Sequence, residues 1–229
     1  MKSIYKDMNI IGSDETGVGD YLTPLVACAV FVPFQNVSKL ESLGVTDSKK
    51  LSDKQIVEIA NNIKPLDKYR VKHLTPSGYN KLNKSYNANE LKMFLHMGAI
   101  NDLEESIDKA DLIIIDQFST EASIKKYYKR LGESTFGFKQ FKAKLKLVEK
   151  GEMEHVSVAA GSIIARATFV ELMKKQNEKW GMKFPLGTNA IVESFAKDFV
   201  AKHGIDSLKE VAKLSFKTTE KLFGKISND

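Results

Sequence analysis

The chain has 229 residues, 42% hydrophobic and 28% charged, a balance that belongs to ordinary globular proteins and suffices to bury a sizeable core. A net charge of +6 favours a polyanionic partner, because basic side chains that neutralise phosphates release condensed counterions. No uninterrupted apolar run nears the roughly 18 residues of a membrane span, no signal-peptide pattern opens the chain, and the single cysteine, Cys28, excludes a disulfide framework and suits a reducing cytosol.

Residues 9–14 and 25–32 predict two apolar strands joined by the turn "TGVGDYLTP", in which Gly17 and Gly19 permit positive φ. A helix is expected from near Ser52, with Ile56, Ile59, Ala60 and Ile63 at helical spacing. A strand over 69–74 and two helices broken near Asn87 follow. The run "DLIIIDQF" reads as a strand buried on both faces. Beyond it come a basic helix over 121–131, then a strand and turn in "AKLKLVEKGEMEH". The segment "SVAAGSIIARATFVELMKKQNEKW" predicts a helix with Ser157 as its N-cap and a small-residue face turned inward. Two short helices, near 190–203 and 206–213, close the chain. Strands first, then strands and helices mixed, indicate an α/β fold with a mixed sheet.

Acids stand at the ends of two of these strands, Asp14-Glu15 after the first and Asp116 after the buried run, and a third candidate, Glu152, lies in the turn before the small-residue helix. Ligands collect at strand ends in open α/β sheets. Carboxylates converging there need compensation, and divalent cations with oxygen ligands supply it. Two such ions about 3.5–4 Å apart stabilise the attacking and leaving oxygens of a phosphoryl displacement. Taken alone, each acid is better explained as a helix cap or a partner of a neighbouring lysine; Asp14 and Asp116 together, each closing an apolar strand, bring the two readings level.

These residues resemble a known family. "GSDETGVGD" is similar to the opening motif of the type 2 ribonucleases H in the form used by ribonuclease HIII, and the resemblance continues through "VTDSKKLSD", "NANELKMFLH", "IIIDQF", "SVAAGSIIAR" and "KHGIDSLKEVAKLSFK". It implies a ribonuclease H-like fold, a mixed β-sheet flanked by helices with a helical C-terminal extension. Residues 1–229 would form one catalytic domain, helical from about 186 to 229. The implied activity is endonucleolytic cleavage of the RNA strand of RNA/DNA hybrids with Mg2+ or Mn2+ at a two-metal site, leaving 3′-hydroxyl and 5′-phosphate ends. Asp14, Glu15, Asp116 and Glu152 would be the catalytic, metal-binding acids, Glu152 being selected over Glu149 and Glu154 by "KGEMEH". Gly17, Val18 and Gly19 would form the substrate turn, reading the 2′-hydroxyls of RNA through backbone N–H groups. Ser48 and Lys49, within "DSK" beginning at Asp47, would contact phosphates. The partner is then an RNA/DNA hybrid, and a cytoplasmic monomer away from membranes is expected.

Departures from the family pattern set further expectations. Members usually carry a further N-terminal domain that grips the hybrid, and thirteen residues before Asp14 leave no room for it. Thr23 and Gly161 replace more usual small residues, and Gly161 is expected to weaken its helix by up to about 1 kcal/mol. His155 reads as a hydrogen-bonded turn histidine and Arg166 as an ion-pair partner. Tyr127 and Tyr128 on the basic helix serve equally as a nucleic-acid surface or as core contacts. The alternatives in function are incision at single ribonucleotides in duplex DNA, as in the HII relatives, and a catalytically inactive hybrid-binding module. The first is disfavoured because no tyrosine follows Tyr128, the second because all four acids are present.

Overall fold

A five-stranded sheet forms the centre of the computed structural model, which describes residues 3–46, 48 and 51–226. Its strands are β1 (Ile10–Thr16), β2 (Leu25–Val32), β3 (Lys68–Leu74), β4 (Leu112–Asp116) and β5 (Lys144–Val148), in the order β3-β2-β1-β4-β5. β2 pairs antiparallel with β1 and β3, while β4 pairs parallel with β1 and β5, so the sheet is mixed as expected. β1 runs to Thr16, not to residue 14, because its pairing with β2 continues through Glu15↔Ala27 and Thr16↔Val26. The two acids thus belong to the strand itself, with their backbones fixed by the ladder.

Ten α-helical segments lie among the described residues: α1 (Val37–Ser42), α2 (Asp53–Ile63), α3 (Pro76–Asn83), α4 (Ala88–Glu104), α5 (Glu121–Gly132), α6 (Gly151–Glu154), α7 (Val156–Trp180), α8 (Ala190–His203), α9 (Leu208–Val211) and α10 (Lys217–Phe223). Capping boxes start α2, with Ser52 and Gln55, and α4, with Asn87 and Glu90, satisfying backbone N–H groups that a helix start leaves open. The closing helix expected over 206–213 is shorter: a 3-10 turn over Ile205–Ser207 leads into α9, and α10 follows unannounced by any long periodic pattern.

α7 packs across β1 and β2 on one face of the sheet, and α4 lies against β1, β2 and β3 on the other. By length and composition α7 could cross a membrane, yet most of it is buried inside the fold. It begins at Val156 with His155 as N-cap, not with Ser157: the His155 ring accepts from the Ser157 N–H at 3.2 Å. Burial lowers the His155 pKa to about 4, which keeps the ring neutral and able to accept. Gly161 has a packing role on the sheet. A Cβ there would stand 3.1 Å from the Cys28 carbonyl oxygen and 3.4 Å from the Asp14 nitrogen, so its bareness lets α7 sit directly on β1 and β2.

Tyr128 resolves as a core contact. Its hydroxyl accepts from the Phe141 N–H at 2.8 Å, and both Tyr127 and Tyr128 pack against the cluster under β4 and α4. Cys28 is fully buried in β2, where desolvation raises its thiol pKa and leaves it a small hydrophobe.

Candidate active site

β1 and β4 run parallel with Ser13 opposite Ile115, so Asp14 and Asp116 emerge side by side one residue further on. Both line a groove of about 420 Å3 with Glu15, Thr16, Ser48, Leu51, Asp53, Ile56, Ser162 and Arg166. Burial, reinforced by the charges of Glu15 and Asp116, raises the Asp14 pKa to about 8, while a hydrogen bond from Ser162 opposes the shift. Ser162 is also 2.7 Å from Ser48 Oγ, so a chain of hydroxyls links the expected phosphate-contacting serine to Asp14. Lys49, with Asp47, lies outside the described residues.

Glu15 leaves the strand on the opposite face. Its carboxylate is 3.0 Å from His96 Nε2 and 3.8 Å from Lys92 Nζ. His96 is fully buried, bridges back to Ser13 Oγ at 2.7 Å and stacks on Phe118 at 5.5 Å. The β4 acid is fixed from another direction, since the Gly151 N–H donates to Asp116 Oδ1 at 2.6 Å. Glu152 is the next residue, half-buried and outside the groove lining. Its neighbours are used elsewhere or turned to solvent. Glu154 receives the Tyr5 hydroxyl at 2.5 Å and lies 3.4 Å from Lys146, and Glu149 is exposed.

Three of the four expected acids therefore share the groove, with Glu152 beside it. Among the described residues no three histidine, cysteine or carboxylate side chains are already gathered tightly enough to hold an ion. The donor set nonetheless suits a hard divalent cation. All its members are oxygens, and a nearby positive charge would offset the burial and the carboxylate repulsion that together raise the Asp14 pKa.

The turn after β1 separates its two glycines. Gly17 has φ +82°, and a Cβ on it would lie 2.1 Å from the Pro24 carbonyl oxygen, so the fold demands glycine there. Gly19 has no positive φ and nothing within 4 Å of an added Cβ. Its missing side chain leaves open space beside Val18, which is 39% exposed.

Sequence reasoning passed over Ser162, and it treated Arg166 as structural. Arg166 does pair with Asp53 at 3.0 Å, and both nonetheless line the groove. Ser162 and Arg166 stand four apart on α7, the spacing that puts two side chains on one helix face. His96 and Lys92 carry the same spacing on α4, a signal that becomes useful only once that helix is placed over β1.

Residues 11–219 match the family model described as ribonuclease HII. The chain is 39% identical over 219 residues to ribonuclease HIII of Enterococcus faecalis, covering 95% of this chain and 70% of that protein. Against ribonuclease HIII of Lactococcus lactis the identity is 36% over 222 residues, covering 94% and 73%. Among solved structures, Bst-RNase HIII in complex with Mn2+ superposes with a TM-score of 0.87 at 34% identity, over 94% of this chain and 69% of that one.

Proposed function

The chain belongs to the ribonuclease HII family, and from that premise we propose that Asp14, Glu15, Asp116 and Glu152 are the acids with which it cuts nucleic acid. It is a ribonuclease H that acts on RNA/DNA hybrids, and in the proposed reading it cuts the RNA strand internally and leaves 3′-hydroxyl and 5′-phosphate ends. The Mn2+ bound by Bst-RNase HIII supports Mg2+ or Mn2+ as the cofactor. The observation that carries the residue assignment is the convergence of Asp14 and Asp116 from parallel strands into one groove that also takes in Glu15.

Asp14, Asp116 and Glu15, with Glu152 at the groove's margin, would hold the metal. Bound there, it supplies Lewis-acid stabilisation to the oxygens that gain charge during in-line phosphoryl transfer. The protein's own groups do the positioning. Ser162 orients Asp14, Gly151 N–H orients Asp116, and Lys92 with His96 holds Glu15 against the sheet. Gly17, Val18 and Gly19 would present backbone to the sugar edge of the RNA, and Ser48 would contact its phosphates, a role that the resemblance also gives to Lys49.

The reading takes residues 1–229 as a single catalytic domain with its helical part beginning near 186, acting as a cytoplasmic monomer. End-labelled substrates with Mg2+, Mn2+ or EDTA test the substrate class. Metal-dependent cutting confined to a long RNA/DNA hybrid is expected. Equal cutting of a DNA duplex carrying one ribonucleotide would move the protein to the other specificity, and no cutting of either would remove the enzymatic reading.

A further inference from the structure

The β1–β2 turn does not hold itself. Tyr21 is fully buried, its N–H donates to the Gly187 carbonyl at 3.1 Å, and its hydroxyl lies 2.9 Å from Thr219 Oγ1. Gly187 N–H donates to Asp20 Oδ1 at 2.6 Å, and Lys213 N–H to the Tyr21 carbonyl at 3.0 Å. Gln176 adds a bond to the Leu22 carbonyl at 2.9 Å. The turn is thus cast against the C-terminal helical part of the chain.

At the centre of that contact lies a buried cation. Lys213 is 1% exposed, and its ammonium donates to the Gly17 carbonyl, to the Asp20 carbonyl at 2.9 Å and to Thr23 Oγ1 at 3.4 Å. An ammonium has three donors, and these three oxygens use all of them. The aromatic rings of Tyr79 and Phe216 lie 5.7 and 5.6 Å away. Burial still lowers the Lys213 pKa to about 8, so the site is costly to keep charged and is held by its contacts.

Its backbone is itself clamped. Asn80, buried on α3, donates to the Lys209 and Ala212 carbonyls at 3.0 and 2.8 Å and accepts from the Leu214 N–H at 2.9 Å. One side chain therefore grips the chain on both sides of Lys213 and leaves the ammonium little freedom to move. Thr23, a departure from the usual small residue, supplies the third oxygen of the cage.

We propose that Lys213 is a positioning residue that aims the 17–19 turn at the nucleic acid. A trans peptide is planar, with its C=O and N–H pointing in opposite directions. Drawing the Gly17 carbonyl inward onto Lys213 turns the N–H of Val18 outward, on the side where Val18 is exposed and Gly19 leaves open space. The same cation places positive charge behind a turn that faces a polyanion. The inference rests on the reading of this turn as the substrate contact, and the experiment separates the two.

Steady-state cleavage of an RNA/DNA hybrid is measured at a temperature well below each variant's melting point. Lys213→Met keeps an unbranched side chain one heavy atom shorter and removes the charge. The expected result is a rise in KM of about tenfold, the equivalent of one lost charged hydrogen-bond set, with kcat unchanged. A residue with only a structural role would lower Tm and leave KM alone. Gly19→Ala probes the turn directly and is expected to raise KM as well. If Gly19→Ala raises KM and folded Lys213→Met does not, the Lys213 proposal falls and the reading of the turn stands. If Gly19→Ala leaves KM unchanged, the reading of the turn falls and takes the proposal with it. Lys213→Gln replaces Lys213→Met if the latter does not fold. Failure of both to fold overturns the proposal, because Lys213 would then be a requirement of the fold.

Discussion

Asp14 and Asp116 are held by their own strands, placed side by side by a parallel register, whereas the turn that follows Asp14 is held by residues up to 198 positions away. The acids inherit their geometry from the sheet ladder, so anything that makes β1 and β4 pair also brings the carboxylates together. The turn has no ladder. Its shape comes from one forced glycine conformation, one buried ammonium and backbone bonds to the far end of the chain. In the proposed reading, chemistry is set on the sheet's own hydrogen-bond ladder, and recognition on a turn that the C-terminal helices must finish.

Among glycine substitutions, the largest expected loss of stability is in the turn. Gly17→Ala must relieve a 2.1 Å approach to the Pro24 carbonyl and abandon a φ of +82°. A loss of about 3 kcal/mol in unfolding free energy is expected, from overpacking plus left-handed strain, and denaturant titration checks it. The same substitution at Gly19 meets nothing, and its stability should stay close to wild type. Equal losses at both positions would erase the distinction between a structural and a recognition glycine.

The groove should show its charge through pH. Asp14 carries a folded pKa of about 8 against an ordinary 3.8, so the native state keeps a proton that the unfolded chain releases. That contribution to stability is fully present below about pH 4 and is lost as pH rises towards 8. Metal-free protein in EDTA should therefore lose up to about 1.4 kcal/mol per pH unit from this group across that window. Asp14→Asn should flatten the slope, and added Mg2+ should restore stability near pH 8. Thermal melts between pH 5 and 8 read all three curves.

The fold and the acids were legible in the sequence for the same reason. Apolar strands closing on Asp14 and Asp116 announce both the sheet and what it carries to its edge. The end of β1 was misjudged by two residues because Glu15 and Thr16 are polar, and only the pairing with β2 keeps them in the strand. Ser157 looked like the cap of α7 because serine is a common cap, yet the neutral His155 ring stands one position before the helix and takes that place. The packing role of Gly161 becomes visible only once β1 and β2 lie beneath it. Lys213 lies within the motif "KHGIDSLKEVAKLSFK", but nothing in that stretch sets it apart from the chain's other lysines. Its meaning depends on Asn80, Gly17 and Thr23 meeting in space, which no spacing along the chain encodes.

Asp14 is proposed to belong to the cleavage chemistry and not to the grip on the hybrid. Asp14→Asn assayed for both, cleavage with Mg2+ or Mn2+ and equilibrium binding of an uncut hybrid, tests it most directly. Cleavage should fall on the order of a thousandfold, the equivalent of losing several kcal/mol of transition-state stabilisation, while hybrid affinity stays near that of the unaltered protein. Cleavage at the unaltered rate would contradict the assignment of the groove.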